Sequence, residues 1–239
     1  MTLGKALRLR RIFSRGRALV IDSQASREDP VAWIRLLARG APDAVILTPG
    51  LLDVVAEELG NLAVIVGMAS GAPRIQPLIS VQAALEMGAE AVTLPVAAAV
   101  GESVERFARM SEEARRLGMP VMAEVLGEDW LEAAWLSADY GADVIRIPPR
   151  PEGAALRSCT RATGRPVLVE LELPPAAWST VLKQACEVMQ GPAQGIVLSV
   201  PGLPSGEAVR LLEALHGLVH QDIALEEAYS IAGITPPEG

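Results

Sequence analysis

The stretch RLGMPVMAEVLGEDWLEAAWLSADYGADVIRI, Arg116 to Ile147, decides the fold. It holds two short apolar runs, PVMAEV (Pro120 to Val125) and DVIRI (Asp143 to Ile147), on either side of a helical pattern from Asp129 to Gly141. Nearly continuous apolar runs of this kind suit parallel strands covered on both faces. The alternation extends in both directions. Upstream lie ALVID (Ala18 to Asp22), AVIL (Ala44 to Leu47), LAVIVG (Leu62 to Gly67) and AVTLP (Ala91 to Pro95). Downstream lie PVLVE (Pro166 to Glu170) and QGIVLS (Gln194 to Ser199). Eight strand–helix units predict a (β/α)8 barrel, an α/β fold of a single domain over residues 1–239. An open doubly wound sheet is less favoured, because no glycine-rich phosphate fingerprint follows the first strand.

The helical stretches carry their own signals. Asp29-Pro30 opens one helix with proline at its tolerated first position. Ser80 reads as an N-cap before VQAALEMGA, and Gly88 as the stop. Glu102 to Gly118 is amphipathic. Glycines 88, 118, 141 and 164 stand at αβ junctions of one type. Residues 1–17 read as a basic N-terminal cap segment, and 222–239 as a C-terminal helix with a frayed tail.

Composition narrows the classes. The chain has 239 residues, half of them apolar, and only two Phe, two Tyr and four Trp. Aliphatic side chains must therefore fill the core. The net charge of −8 argues against general nucleic-acid binding. The basic start (Lys5, Arg8, Arg10, Arg11, Arg15, Arg17) is read as a solvated cap under the barrel or a subunit contact. No apolar run approaches membrane-spanning length, so no membrane partner is expected. Cys159 and Cys186 lack a CxxC spacing, which points away from zinc or disulfides and toward a reducing cytoplasm. No cofactor and no metal are expected. His216 and His220 have an i, i+4 spacing but no acidic HExxH partner, so both are read as structural.

A barrel places its chemistry at the C-terminal ends of its strands. Those ends hold Asp22, Glu124, Arg146, Glu170 and Ser199, with Glu172 just beyond. Charges there must be solvated or paired. Two readings stand: a polar pocket in which Arg146 grips an anionic substrate by its planar fork, or an ion pair, such as Arg146 with Glu124 on the neighbouring strand, that fills the mouth. The tryptophans Trp33, Trp130, Trp135 and Trp178 are read either as helix packing or as subunit contacts.

Several segments together carry a resemblance: GKALRLRRIFSRGRALVID, DAVILTPG, SVQAALEMGAEAVTL, RLGMPVMAE, YGADVIRI and LVHQDIALEEA. In this order and spacing the chain resembles the archaeal-type class I fructose-bisphosphate aldolases and their relatives. These include the autoinducer-2 phosphate aldolase and an aminodideoxyheptulosonate synthase. The resemblance implies a (β/α)8 barrel and assembly into homo-oligomeric rings, pentameric or decameric. It also implies a Schiff-base lysine at the end of strand six, where this chain has Arg146. A proton-transfer tyrosine after strand four is implied about where Ala99 stands. Phosphate-binding Gly-Gly and Gly-Arg pairs are implied after strands seven and eight, where Glu170, Leu171 and Glu172, then Ser199 and Val200, occur instead. Asp22 and Glu124 match acidic positions of that family. The expectation is a degenerate, non-catalytic aldolase-like protein with a structural or regulatory role, alone in a ring or beside an active paralogue. The alternative is an active lyase or isomerase on a small carbonyl or carboxylate compound. There Arg146 would hold a carboxylate or enolate, and Asp22 or Glu124 would act as general base.

Overall fold

In a computed structural model, residues 2–24, 29–68, 79–149, 153–172, 178–199 and 205–235 are described. Eight parallel strands close on themselves in sequence order: β1 (Ala18–Asp22), β2 (Ala44–Leu47), β3 (Ala63–Gly67), β4 (Ala91–Val96), β5 (Val121–Val125), β6 (Val144–Ile147), β7 (Val167–Glu172) and β8 (Gly195–Ser199). The seam pairs Ala18 with Gly195 and Asp22 with Ser199. Gly195 is required there: a Cβ would lie 2.0 Å from the Ala18 carbonyl oxygen, and its φ is +151°. Every strand expected from the sequence is present, with ends moved by a residue or two.

Helices α1 (Leu3–Ile12), α2 (Pro30–Gly40), α3 (Pro49–Val55), α4 (Val81–Glu86), α5 (Gly101–Leu117), α6 (Trp130–Asp139), α7 (Gly153–Thr163), α8 (Trp178–Met189), α9 (Ser205–His220) and α10 (Leu225–Ala232) complete the order. The Asp29 and Ser80 side chains accept from the amides of Ala32 and Ala83, so both expected caps form. Gly118, in the left-handed conformation, ends α5.

Strand residues alternate between two cores, as a period of two requires. Leu19, Ile21, Val45, Leu47, Val64 and Val66 pack outward under the helices. Ala18, Val20, Ala44, Ile46, Ala63 and Ile65 point inward and are joined by Ala91, Met122, Val144, Leu168 and Val197. Ile12 belongs to this inner cluster, and Leu9 and Phe13 pack against it. Helix α1 therefore floors the barrel at its N-terminal end. Its basic residues are partly engaged: Lys5 lies 2.7 Å from Asp143, and Arg11 lies 2.6 Å from Glu90.

That lower rim repeats one device. Side chains just before β2, β4, β6 and β8 accept a backbone N–H from β1, β3, β5 and β7. The pairs are Asp43 to Leu19 (2.7 Å), Glu90 to Val64 (2.9 Å), Asp143 to Val121 (2.9 Å) and Gln194 to Val167 (2.8 Å). Each satisfies a donor at the start of a strand that would otherwise be buried unpaired. His220 Nε2 lies 2.8 Å from Asp43, and His216 Nδ1 lies 3.1 Å from the Ala41 carbonyl. The two histidines thus tie α9 to the rim. Trp33 is buried and its indole N–H donates to Ser23 Oγ at 2.9 Å, so it serves packing within the chain. Trp130 and Trp178 pack against the core from its edge, while Trp135 is exposed.

Candidate functional site

Continuing the inward face of each strand upward from the apolar interior gives the lining of the mouth. The next inward positions are Asp22 on β1, Gly67 on β3, Thr93 on β4, Glu124 on β5, Arg146 on β6, Glu170 on β7 and Ser199 on β8. Below this level the barrel is filled by aliphatic side chains. At this level almost every side chain is polar. The same pleat that buries Val144 and Met122 thus carries Arg146 and Glu124 to the top.

Arg146 is the hub and is only 3% exposed. Its Nε and Nη2 fork onto Glu170, at 3.2 and 2.7 Å. Its Nη1 donates to Asp22 Oδ2 at 2.6 Å, and Nη2 also reaches Ser199 Oγ at 3.2 Å. Ser199 Oγ donates in turn to Glu170 at 2.7 Å. Glu124 stands apart, 3.8 Å from Nη1. The expected pairing of Arg146 with Glu124 is therefore the longest of its ion pairs. The fork geometry goes to Glu170 on the other neighbouring strand, where two parallel N–H···O bonds can form. All five sequence candidates meet in one cluster. The side chain of Glu172 and the stretch from Val200 lie outside the described residues, as do most of the loop after β3 and the segments after β6 and β7.

Among the described residues the charges do not balance: one guanidinium faces three carboxyl groups. Burial works against the Arg146 charge, but Glu124, Asp22 and Glu170 outweigh it and raise its pKa further above the ordinary arginine value. Burial lifts the Glu124 carboxyl above the usual carboxylate range; Arg146 opposes this, and Asp22 and Glu170 add to it. Glu124 also keeps partial exposure. A carboxyl group with a raised pKa, open to the mouth, is placed to carry a proton in either direction.

The two lysines of the chain sit elsewhere. Lys5 is held by Asp143 at the opposite end of β6, and Lys183 lies on α8 in the outer layer. Ala99 lies in the turn between β4 and α5. Cys159 is buried on α7, and burial pushes its thiol up to about 11; Cys186 is half-buried on α8. The sequence reading missed Gln24, whose backbone and side-chain N–H groups donate to Asp22 at 3.1 to 3.3 Å. Its signal is weak, because it stands beyond the strand end and its approach to Gly67 exists only in the assembled barrel. Among the described residues no helix is long and apolar enough to cross a membrane.

The sequence model of the family described as "DeoC/LacD family aldolase" matches residues 14–162. A 2-amino-3,7-dideoxy-D-threo-hept-6-ulosonate synthase of Archaeoglobus fulgidus is 24% identical, over 97% of this chain and 96% of that protein. The fold is shared with a fructose-bisphosphate aldolase from Slackia heliotrinireducens, at a TM-score of 0.82 and 17% identity over 96% of this chain and 90% of that one. It is also shared with an archaeal fructose-1,6-bisphosphate aldolase whose catalytic lysine is covalently bound to the carbinolamine intermediate of the substrate. That comparison has a TM-score of 0.77 and 21% identity over 90% of this chain and 99% of that one.

Proposed function

We propose that this chain, which belongs to the DeoC/LacD aldolase family, keeps the aldolase frame without imine chemistry and acts as a structural or regulatory partner. Imine formation needs a neutral amine that can attack a carbonyl and then lose water. A guanidinium is delocalised and stays protonated, so Arg146 at the end of β6 cannot supply one. The observation that carries this reading is the state of Arg146: buried, and spent on Glu170, Asp22 and Ser199 rather than offered to a ligand. The surplus of carboxylates opposes a phosphorylated substrate. A homo-oligomer, or a mixed assembly with an active paralogue in the cytoplasm, is the setting we propose for such a role.

The test is borohydride reduction of the purified chain in the presence of dihydroxyacetone phosphate, read by intact mass. No mass gain is expected. A reduced adduct, or turnover of a sugar phosphate, ends this reading. Sedimentation of the purified chain, alone and with a co-expressed paralogue, tests the assembly.

One observation favours a second reading. Burial raises the Glu124 pKa above the ordinary carboxylate value, its nearest cation Arg146 stays 3.8 Å away, and its side chain keeps partial exposure at the mouth. An active lyase or isomerase that uses Glu124 as acid or base, with Arg146 and Asp22 holding a neutral carbonyl compound, accounts for it. A panel of small unphosphorylated hydroxycarbonyl compounds, assayed with the wild type and Glu124→Gln, separates the two. Turnover lost in the variant supports the enzyme.

A further inference from the structure

The upper face of the mouth divides unevenly. From β6 round to β1, Arg146, Glu170, Ser199 and Asp22 satisfy one another. From β3 to β4 two features remain unexplained by that network. Thr93, 1% exposed and the register partner of Gly67, has a buried Oγ that meets no hydrogen-bonding group among the described residues. Gly67 has no side chain, and the Gln24 carboxamide lies directly over it. A Cβ on Gly67 would fall 2.0 Å from Gln24 Oε1. The φ of Gly67 needs no glycine, so it is space that its missing side chain supplies. That space is filled by the side chain of Gln24, two residues past the end of β1.

We infer that the β1–β3–β4 side of the mouth is a subsite for a small neutral group with paired N–H or O–H donors, and that Gln24 occupies it as a resident stand-in. The carboxamide nitrogen donates to both oxygens of Asp22, at 3.2 and 3.3 Å. Whatever replaces it must likewise donate, since an ionised carboxylate only accepts. A primary carboxamide or a vicinal diol meets that demand. A carboxylate or phosphate does not, because it offers Asp22 no donor and adds negative charge beside Glu124 and Glu170. Thr93 Oγ supplies a further hydrogen-bonding group at the floor of the same side. The inference rests on the proposed reading of the mouth as closed to anions, and it names the chemistry that remains admissible.

Truncation of Gln24 should leave a cavity of the shape of its lost carboxamide, and acetamide and ethylene glycol are the probes. At tens of millimolar, either neutral probe raises the Tm of Gln24→Ala by about 2–4 °C. The wild type, already filled, does not respond, and sodium acetate shifts neither protein. The double variant Gln24→Ala, Gly67→Ala loses the response, because the added methyl group takes the space. Equal shifts in wild type and variant, acetate matching acetamide, or no response to either neutral probe overturns the inference. If Gln24→Ala does not fold, Gly67→Ala serves instead. There the Gln24 side-chain NH2 resonances move to free, rapidly exchanging positions, and unchanged resonances overturn the inference. These readouts are independent of the borohydride trap. The subsite can fail while the mouth still forms no imine, and an imine can appear while the subsite holds.

Discussion

Arg146 carries a charge that no accessible pH removes, so its burial depends on the acceptors around it. Replacing it by Met leaves Asp22, Glu124 and Glu170 facing one another without a cation. Breaking such a buried network costs about 3–5 kcal/mol, and Tm falls on the order of 10 °C by thermal denaturation. Arg146→Lys keeps the charge but cannot fork onto Glu170 while reaching Asp22; it is expected to lower Tm by less and to give no aldolase activity in a cleavage assay. Glu124 behaves in the opposite sense to most carboxylates. Its pKa is raised on folding, so its neutral form stabilises the fold at acid pH. That contribution is lost as pH rises from the ordinary glutamate value, about 4.3, through the raised one. Glu124→Gln, permanently neutral, should therefore raise Tm at pH 7, with the gain shrinking toward pH 4. An equal gain at both pH values contradicts the assignment. Asp22, Glu124, Arg146, Glu170 and Ser199 were legible as a group because each ends an apolar strand. Who bonds whom was not, since register places Glu124 beside Arg146 but says nothing of side-chain reach. Gln24 was illegible because its place over Gly67 exists only once the strand ends are assembled into the mouth.

At the level of elements, the lower rim shows a rule that the sequence only hinted at. The glycine–alanine junctions before β4 and β6 were readable as αβ turns. The residue that follows each, Glu90 or Asp143, was not readable as a cap for the preceding strand. A strand start signals its need for an acceptor only when its neighbour is known. Asp43 takes three donors at once: Ser14 Oγ at 2.5 Å, the Leu19 amide and His220. Asp43→Ala orphans all three and should cost about 2–4 kcal/mol in urea denaturation. Asp43→Asn keeps an acceptor for Leu19 and should cost less. An equal loss in both variants would show that the ionised carboxylate, rather than the backbone bond alone, holds this corner.

Across the whole molecule, eight strands and their order could be read from the chain because parallel strands covered on both faces leave long apolar runs. Closure of the sheet, β1 against β8, followed from counting units rather than from any residue. Helix α1 was legible as a basic cap under the barrel or a subunit contact; that Leu9, Ile12 and Phe13 pack into the barrel interior was not, since this apolar side is short and mixed with arginines. Deleting residues 1–13 should uncover the inner aliphatic cluster. The expected outcome is a lower Tm and increased binding of a hydrophobic dye; an unchanged Tm would mean that the barrel closes without its floor.

The anchoring of α1 has a temporal corollary. Lys5 and Arg11 precede β1, but the carboxylates that hold them, Asp143 and Glu90, stand just before β6 and β4. The Arg11 contact needs the chain assembled as far as β4, and the Lys5 contact needs it as far as β6. The floor is thus fastened in two stages, each waiting on a strand remote from it in sequence.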